Sequence, residues 1–126
     1  MGAKMKLCGI GIDLEGRRQI RKEAARFFLS EKELEWLRRQ NEPSHLLRLW
    51  TVKEALYKAN PKNEDTGLAD YVLEHPGWSS GKAYLLRMPA LEFHYNCIPF
   101  RNGFLSVAFV IDAECLCAET LCAEAL

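Results

Sequence analysis

Two charged clusters in this sequence have residue types and spacing suited to chemistry. In Trp50-Thr51-Val52-Lys53-Glu54-Ala55-Leu56-Tyr57-Lys58-Ala59, every fourth residue from Trp50 is Trp, Glu and Lys. On a helix Trp50, Glu54 and Lys58 share one face, flanked by Lys53 and Tyr57. A Glu followed one turn later by a Lys is commonly a surface ion pair worth about 0.3 to 0.5 kcal/mol. A second acidic pair argues for more than that. Residues 5–12 are nearly all apolar or Gly, the pattern of a buried strand, and Asp13 and Glu15 stand at i, i+2 where it ends. Two carboxylates on one face of a strand repel each other unless a cation lies between them.

The surrounding elements must bring these clusters together. Arg17 to Phe28 places Ile20, Ala24, Ala25, Phe27 and Phe28 at roughly helical spacing among charged residues, which predicts an amphipathic helix with a basic outer face. Ser30 and Glu33 form a capping-box pattern ahead of Leu34, Trp36 and Leu37, so a short second helix follows, ending near Asn41. A long helix opens at Pro43-Ser44, with Ser44 as candidate N-cap, and closes at Asn60-Pro61 because Pro61 disfavours helical geometry before it. Residues 61–67 read as a polar loop. Four strands are then expected at 69–74, 82–88, 91–97 and 104–111, with Asn102-Gly103 as a hairpin signal. The order predicts an α+β domain: an antiparallel sheet with the long helix packed on one face.

Length and composition narrow the function classes. The 126 residues suffice for one domain that buries roughly two thirds of its unfolded surface, here residues 1–112, followed by a tail at 113–126. In that tail Leu-Cys-Ala-Glu occurs twice, at a five-residue period that fits neither helix nor strand. Seventeen basic and seventeen acidic residues balance. No global field therefore recruits nucleic acid or an anionic membrane, and any anion site is local. There is no apolar run of about eighteen residues and no signal-peptide pattern, so a cytoplasmic protein is expected. The five cysteines, Cys8, Cys97, Cys115, Cys117 and Cys122, lack zinc-site spacing and read as reduced thiols.

Gly11-Ile12-Asp13-Leu14-Glu15 followed by Trp50-Thr51-Val52-Lys53-Glu54-Ala55-Leu56-Tyr57-Lys58 resembles the signature of the 4'-phosphopantetheinyl transferases, and more closely their surfactin-synthetase type than the holo-acyl-carrier-protein-synthase type. Phe27-Phe28-Leu29-Ser30-Glu31-Lys32-Glu33 is similar to the family's segment after the first motif. Thr66-Gly67-Leu68 is similar to its loop after the long helix, and Leu105-Ser106-Val107-Ala108-Phe109 to its last strand. The likeness runs from about residue 6 to residue 111.

The resemblance implies transfer of 4'-phosphopantetheine from coenzyme A to a serine of an acyl or peptidyl carrier protein, releasing adenosine 3',5'-bisphosphate. It further implies Mg²⁺ held by Asp13, Glu15 and Glu54, with Glu54 as ligand, as general base, or as both. Lys58 would neutralise phosphate oxygens, and Lys53 would reach the same anion or the 3'-phosphate. Trp50 reads as a packing residue beside the site, while His45, His75 and His94 fall outside the motifs. Arg17 and Arg18 read as helix surface.

The pattern also departs from the family. Surfactin-type chains carry two similar halves with coenzyme A between them, and this chain resembles the second half alone. The basic residues and the Ser-His pair of the first half have no counterpart, since Ser44-His45 comes too late in the chain. Smaller relatives place active sites between identical subunits, so the expectation is a homo-oligomer or association with a larger synthase. The alternative is a catalytically inactive protein that keeps the fold and docks carrier proteins. Three clustered carboxylates with two lysines argue against it, because docking needs no such concentration of like charge. A metal-dependent phosphodiesterase or nuclease would use the same acids but lacks a basic track.

Overall fold

The computed structural model describes residues 6–16 and 19–112. Strand β1 (Lys6–Glu15) is followed by a 3-10 segment at Lys22–Phe27, then helices α1 (Glu31–Arg38) and α2 (Ser44–Ala59). A second 3-10 segment at Leu68–Asp70 leads into β2 (Tyr71–Leu73), β3 (Ser80–Leu85), β4 (Leu91–Phe100) and β5 (Gly103–Asp112). All strand pairs are antiparallel, in the order β1-β5-β4-β3-β2. The first strand thus lies beside the last, pairing Asp13 with Ser106 and Glu15 with Phe104.

Helix α2 lies across β1, β5 and β4. Its Leu49, Val52, Ala55 and Leu56 are fully buried, above Phe93 of β4 and Ala108 and Val110 of β5. Two glycines let the helix come this close. A Cβ on Gly11 would stand 2.1 Å from the Ala55 carbonyl oxygen, and one on Gly9 would stand 1.9 Å from that of Ala59. Both obstacles are backbone, so no rotamer change relieves them. Gly11 is therefore what allows Asp13, two residues on, to lie under α2.

Helix α1 starts as its sequence predicts. Ser30 Oγ accepts from the Glu33 backbone N–H, and Glu33 Oε1 accepts from the Ser30 N–H at 2.7 Å. At the far end of the sheet, Arg48 is buried and donates to the carbonyls of Pro76 and Trp78, which pins the loop between β2 and β3 to α2.

Several expectations are corrected. The strand at the N-terminus is not buried on both faces. It is an edge strand, and Ile10, Ile12 and Leu14 are 58%, 56% and 56% exposed. Its apolar run arises because α2 occupies the glycine side while the other side carries aliphatic residues on the sheet's uncovered face. The amphipathic helix expected over 17–28 is a 3-10 segment at Lys22–Phe27, buried through Ala25 and abutting buried Phe28. Ser44 is the first helical residue of α2 rather than its cap, a position that Pro43 takes without a side-chain bond. The strand expected at 69–74 is reduced to three residues after a 3-10 turn, and the one expected at 82–88 runs from Ser80 to Leu85. The last hairpin turns on Arg101-Asn102, one residue earlier than Asn102-Gly103. Arg101 takes a φ of 55°, and Gly103 closes the β4–β5 pairing opposite Phe100. Arg17, Arg18, the 113–126 tail and Cys115, Cys117 and Cys122 lie outside the described residues.

Candidate active site

The pairing of β1 with β5 and the close seat of α2 on β1 bring the two charged clusters together. Asp13 points under the helix and is 7% exposed. Its Oδ1 accepts a hydrogen bond from Lys58 Nζ at 2.8 Å, and the same ammonium donates to the Ile12 carbonyl at 3.3 Å. Two residues along the strand, Glu15 Oε1 accepts from Trp50 Nε1 at 3.2 Å. Glu54 stands on α2 one turn from each of Trp50 and Lys58. The face defined by Trp50, Glu54 and Lys58 therefore meets the face defined by Asp13 and Glu15.

The electrostatics agree with this geometry. The hydrogen bond to Asp13 raises the basicity of Lys58 above the usual lysine range; burial opposes it, and the charges of Asp13, Glu54 and Glu15 add to the rise. One ammonium thus lies in the field of all three carboxylates, with its side chain still 48% exposed. Asp13 Oδ2, by contrast, is buried without a hydrogen-bond partner, which is costly for a charged oxygen.

These observations test the fit of a divalent cation. The donor set is oxygen only, as Mg²⁺ and Ca²⁺ require, and Asp13 has a buried oxygen with nothing on it. Lys58 supplies positive charge where the carboxylates meet. Among the described residues, no three His, Cys, Asp or Glu side chains converge as a ready-made metal cage. The chemistry of the residues fits a cation that keeps several waters.

Lys53 is placed elsewhere. The expectation that it reaches the same anion as Lys58 is not met, because its side chain is fully buried on the far side of α2. There Lys53 Nζ pairs with Glu33 Oε1 at 2.6 Å and donates to the Tyr71 carbonyl. Burial lowers its basicity, opposed by the charge and hydrogen bond of Glu33. The physical reason is helical geometry: adjacent residues project about 100° apart, so Glu54 facing β1 turns Lys53 toward α1 and β2.

Trp50 does pack, with its ring edge-to-face on Phe28 at 5.1 Å, and it also orients Glu15. Its place in the i, i+4, i+8 series with Glu54 and Lys58 was the signal for that second task. The role of Glu33 had no such signal, because a capping residue looks the same whether or not its free lone pairs hold a buried lysine. The three histidines make other contacts: His45 lies against Trp36, His75 stacks on Trp78 with Glu74 3.7 Å away, and His94 stacks on Phe109 and hydrogen-bonds Glu92 at 2.6 Å.

A family model described as the 4'-phosphopantetheinyl transferase superfamily matches residues 9–105, from β1 into β5 and including both charged clusters. No curated protein matches the chain.

Proposed function

The chain belongs to the 4'-phosphopantetheinyl transferase superfamily, and on that premise we propose that it transfers 4'-phosphopantetheine from coenzyme A to a serine of an acyl or peptidyl carrier protein, in the cytoplasm, as the counterpart of the second half of a surfactin-type enzyme. The observation that carries this reading is the meeting of Asp13, Glu15, Glu54 and Lys58 at the β1–α2 contact.

In the proposed reaction the serine oxygen attacks the β-phosphorus of coenzyme A. The bond from that phosphorus to the bridging oxygen breaks, and adenosine 3',5'-bisphosphate leaves with the electron pair. Glu54 takes the serine proton. Lys58, half exposed and held protonated by its acidic neighbours, binds diphosphate oxygens as a point charge. Asp13, Glu15 and Glu54 are the residues that would hold Mg²⁺, which when bound supplies positive charge to the diphosphate as negative charge shifts to the leaving oxygen. Trp50 keeps Glu15 oriented, and the buried setting of Asp13 keeps its carboxylate in one direction.

We further propose that the active form is a homo-oligomer. The uncovered face of the sheet presents Leu7, Ile10, Ile12, Leu14, Val107 and Phe109, all 39% or more exposed and none of them charged. A contiguous row of exposed apolar side chains on an open sheet face is where an interaction surface is expected. A second copy presents the same apolar stripe of β1 and β5, so a two-fold contact would bury like against like.

The test is intact-mass spectrometry of an apo carrier protein incubated with this protein, coenzyme A and magnesium. A phosphopantetheine mass gain that EDTA abolishes is the expected result. No gain across several acyl and peptidyl carriers overturns the transferase reading in favour of a docking protein.

A further inference from the structure

The lysine beside Glu54 is buried in the wrong place for a phosphate, and the manner of its burial suggests another task. Glu33 and Lys53 are both 0% exposed. The Glu33 carboxylate accepts three hydrogen bonds: from the Ser30 N–H at the start of α1, from the Leu73 N–H of β2, and from Lys53 Nζ. Lys53 Nζ also donates to the Tyr71 carbonyl at the start of β2. Two charges thus tie α1, β2 and α2 together at one point. Its position on α2 is one residue before Glu54 and five before Lys58.

We propose that Lys53 is a positioning residue: the Lys53–Glu33 clamp sets the rotation of α2 about its axis, and with it the direction in which Glu54 and Lys58 meet Asp13 and Glu15. This rests on the proposed transferase reading for its kinetic consequence, but the geometric claim stands independently. The apolar contacts of α2 with the sheet are non-directional, and close packing over Gly9 and Gly11 limits the distance between helix and strand more than the helix's rotation. Hydrogen bonds from one charged head to a carboxylate and a carbonyl on fixed elements are directional. A carboxylate about 6 Å from the axis moves about 1 Å for each 10° or so of helix rotation. Catalytic groups must be held to about 0.5 Å, and a misplacement of about 1 Å can cost on the order of 100-fold in rate.

The experiment compares Lys53→Met with the double variant Lys53→Met, Glu33→Gln. The single variant leaves Glu33 buried without its counter-charge and should lower Tm sharply. The double variant removes both charges and should recover most of that loss. If Lys53 positions Glu54 and Lys58, the recovered double variant still shows kcat at least tenfold down, with KM for coenzyme A within about twofold of the original. Return of kcat together with Tm would make the pair merely structural and overturn the proposal. So would a tenfold rise in KM for coenzyme A in a Lys53→Met variant of unchanged Tm, which would make Lys53 a phosphate ligand. A crystal structure of the double variant gives the activity-free readout. A rotated α2, with Lys58 Nζ displaced from its 2.8 Å contact with Asp13 Oδ1, is expected. An α2 left in place overturns the inference even if the chain proves to transfer nothing. Absent transfer in the unmodified protein counts against the functional reading alone.

Discussion

Lys58 carries its ammonium 2.8 Å from Asp13 Oδ1, inside the field of two further carboxylates. Replacing Asp13 by Asn keeps the shape and removes the charge, so transfer should fall by at least 100-fold while the thermal midpoint changes little. Loss of activity with unchanged circular dichroism would support the assignment, and normal turnover would refute it. Lys58→Ala should reduce transfer with a smaller effect on magnesium affinity, measurable by calorimetry with the metal alone. The pH dependence has a definite sign. Because its pairing with Asp13 raises Lys58 above the ordinary value of 10.5, the pair's contribution to stability is fully present below that value. It is lost as pH rises through the raised one. Denaturation midpoints measured from pH 8 upward should therefore show a loss in the parent that is absent from Lys58→Met, with no change from this pair near neutrality.

At the scale of elements, the site depends on how closely α2 sits on β1. Gly11→Ala would place a methyl 2.1 Å from the Ala55 carbonyl oxygen. In an ordinary strand this substitution is mildly favourable, whereas here overpacking should cost about 1 to 3 kcal/mol. Urea denaturation should report that loss, and transfer should fall further than the lost stability explains, since the displaced helix carries Glu54 and Lys58. The helix and strand signals were mostly legible in the residues: the Ser30–Glu33 box, the Pro61 stop and the strands expected at 91–97 and 104–111 all correspond to observed features. The 3-10 segment at Lys22–Phe27 was not. Helical spacing over a few residues does not distinguish a 3-10 segment from an α-helix.

For the molecule as a whole, the sheet has one face under α2 and one face open. A two-layer domain that leaves Ile10, Ile12, Leu14 and Phe109 about half exposed is unusual for an isolated chain. If copies meet on this face, Ile12→Lys should yield a monomer by analytical ultracentrifugation, whereas Trp78→Ser at the exposed loop between β2 and β3 should leave the assembly intact. A monomeric parent protein would refute the oligomer. No helix among the described residues is long and apolar enough to cross a membrane.

The order of residues is enough to set which groups are available and the local geometry of each cluster. Asp13 and Glu15 at i, i+2 share a strand face, and Trp50, Glu54 and Lys58 at every fourth residue share a helix face. These follow from backbone periodicity, which neighbouring elements do not alter. Tertiary structure decided which faces meet. Pairing of β1 with β5 and the glycine contact with α2 join Asp13 to Lys58. The same rotation of α2 sends Lys53 to Glu33, twenty residues earlier in the chain. Neighbours in sequence with like chemistry were separated because one helix has only one orientation on the sheet. A buried charge then takes whichever counter-charge that orientation presents.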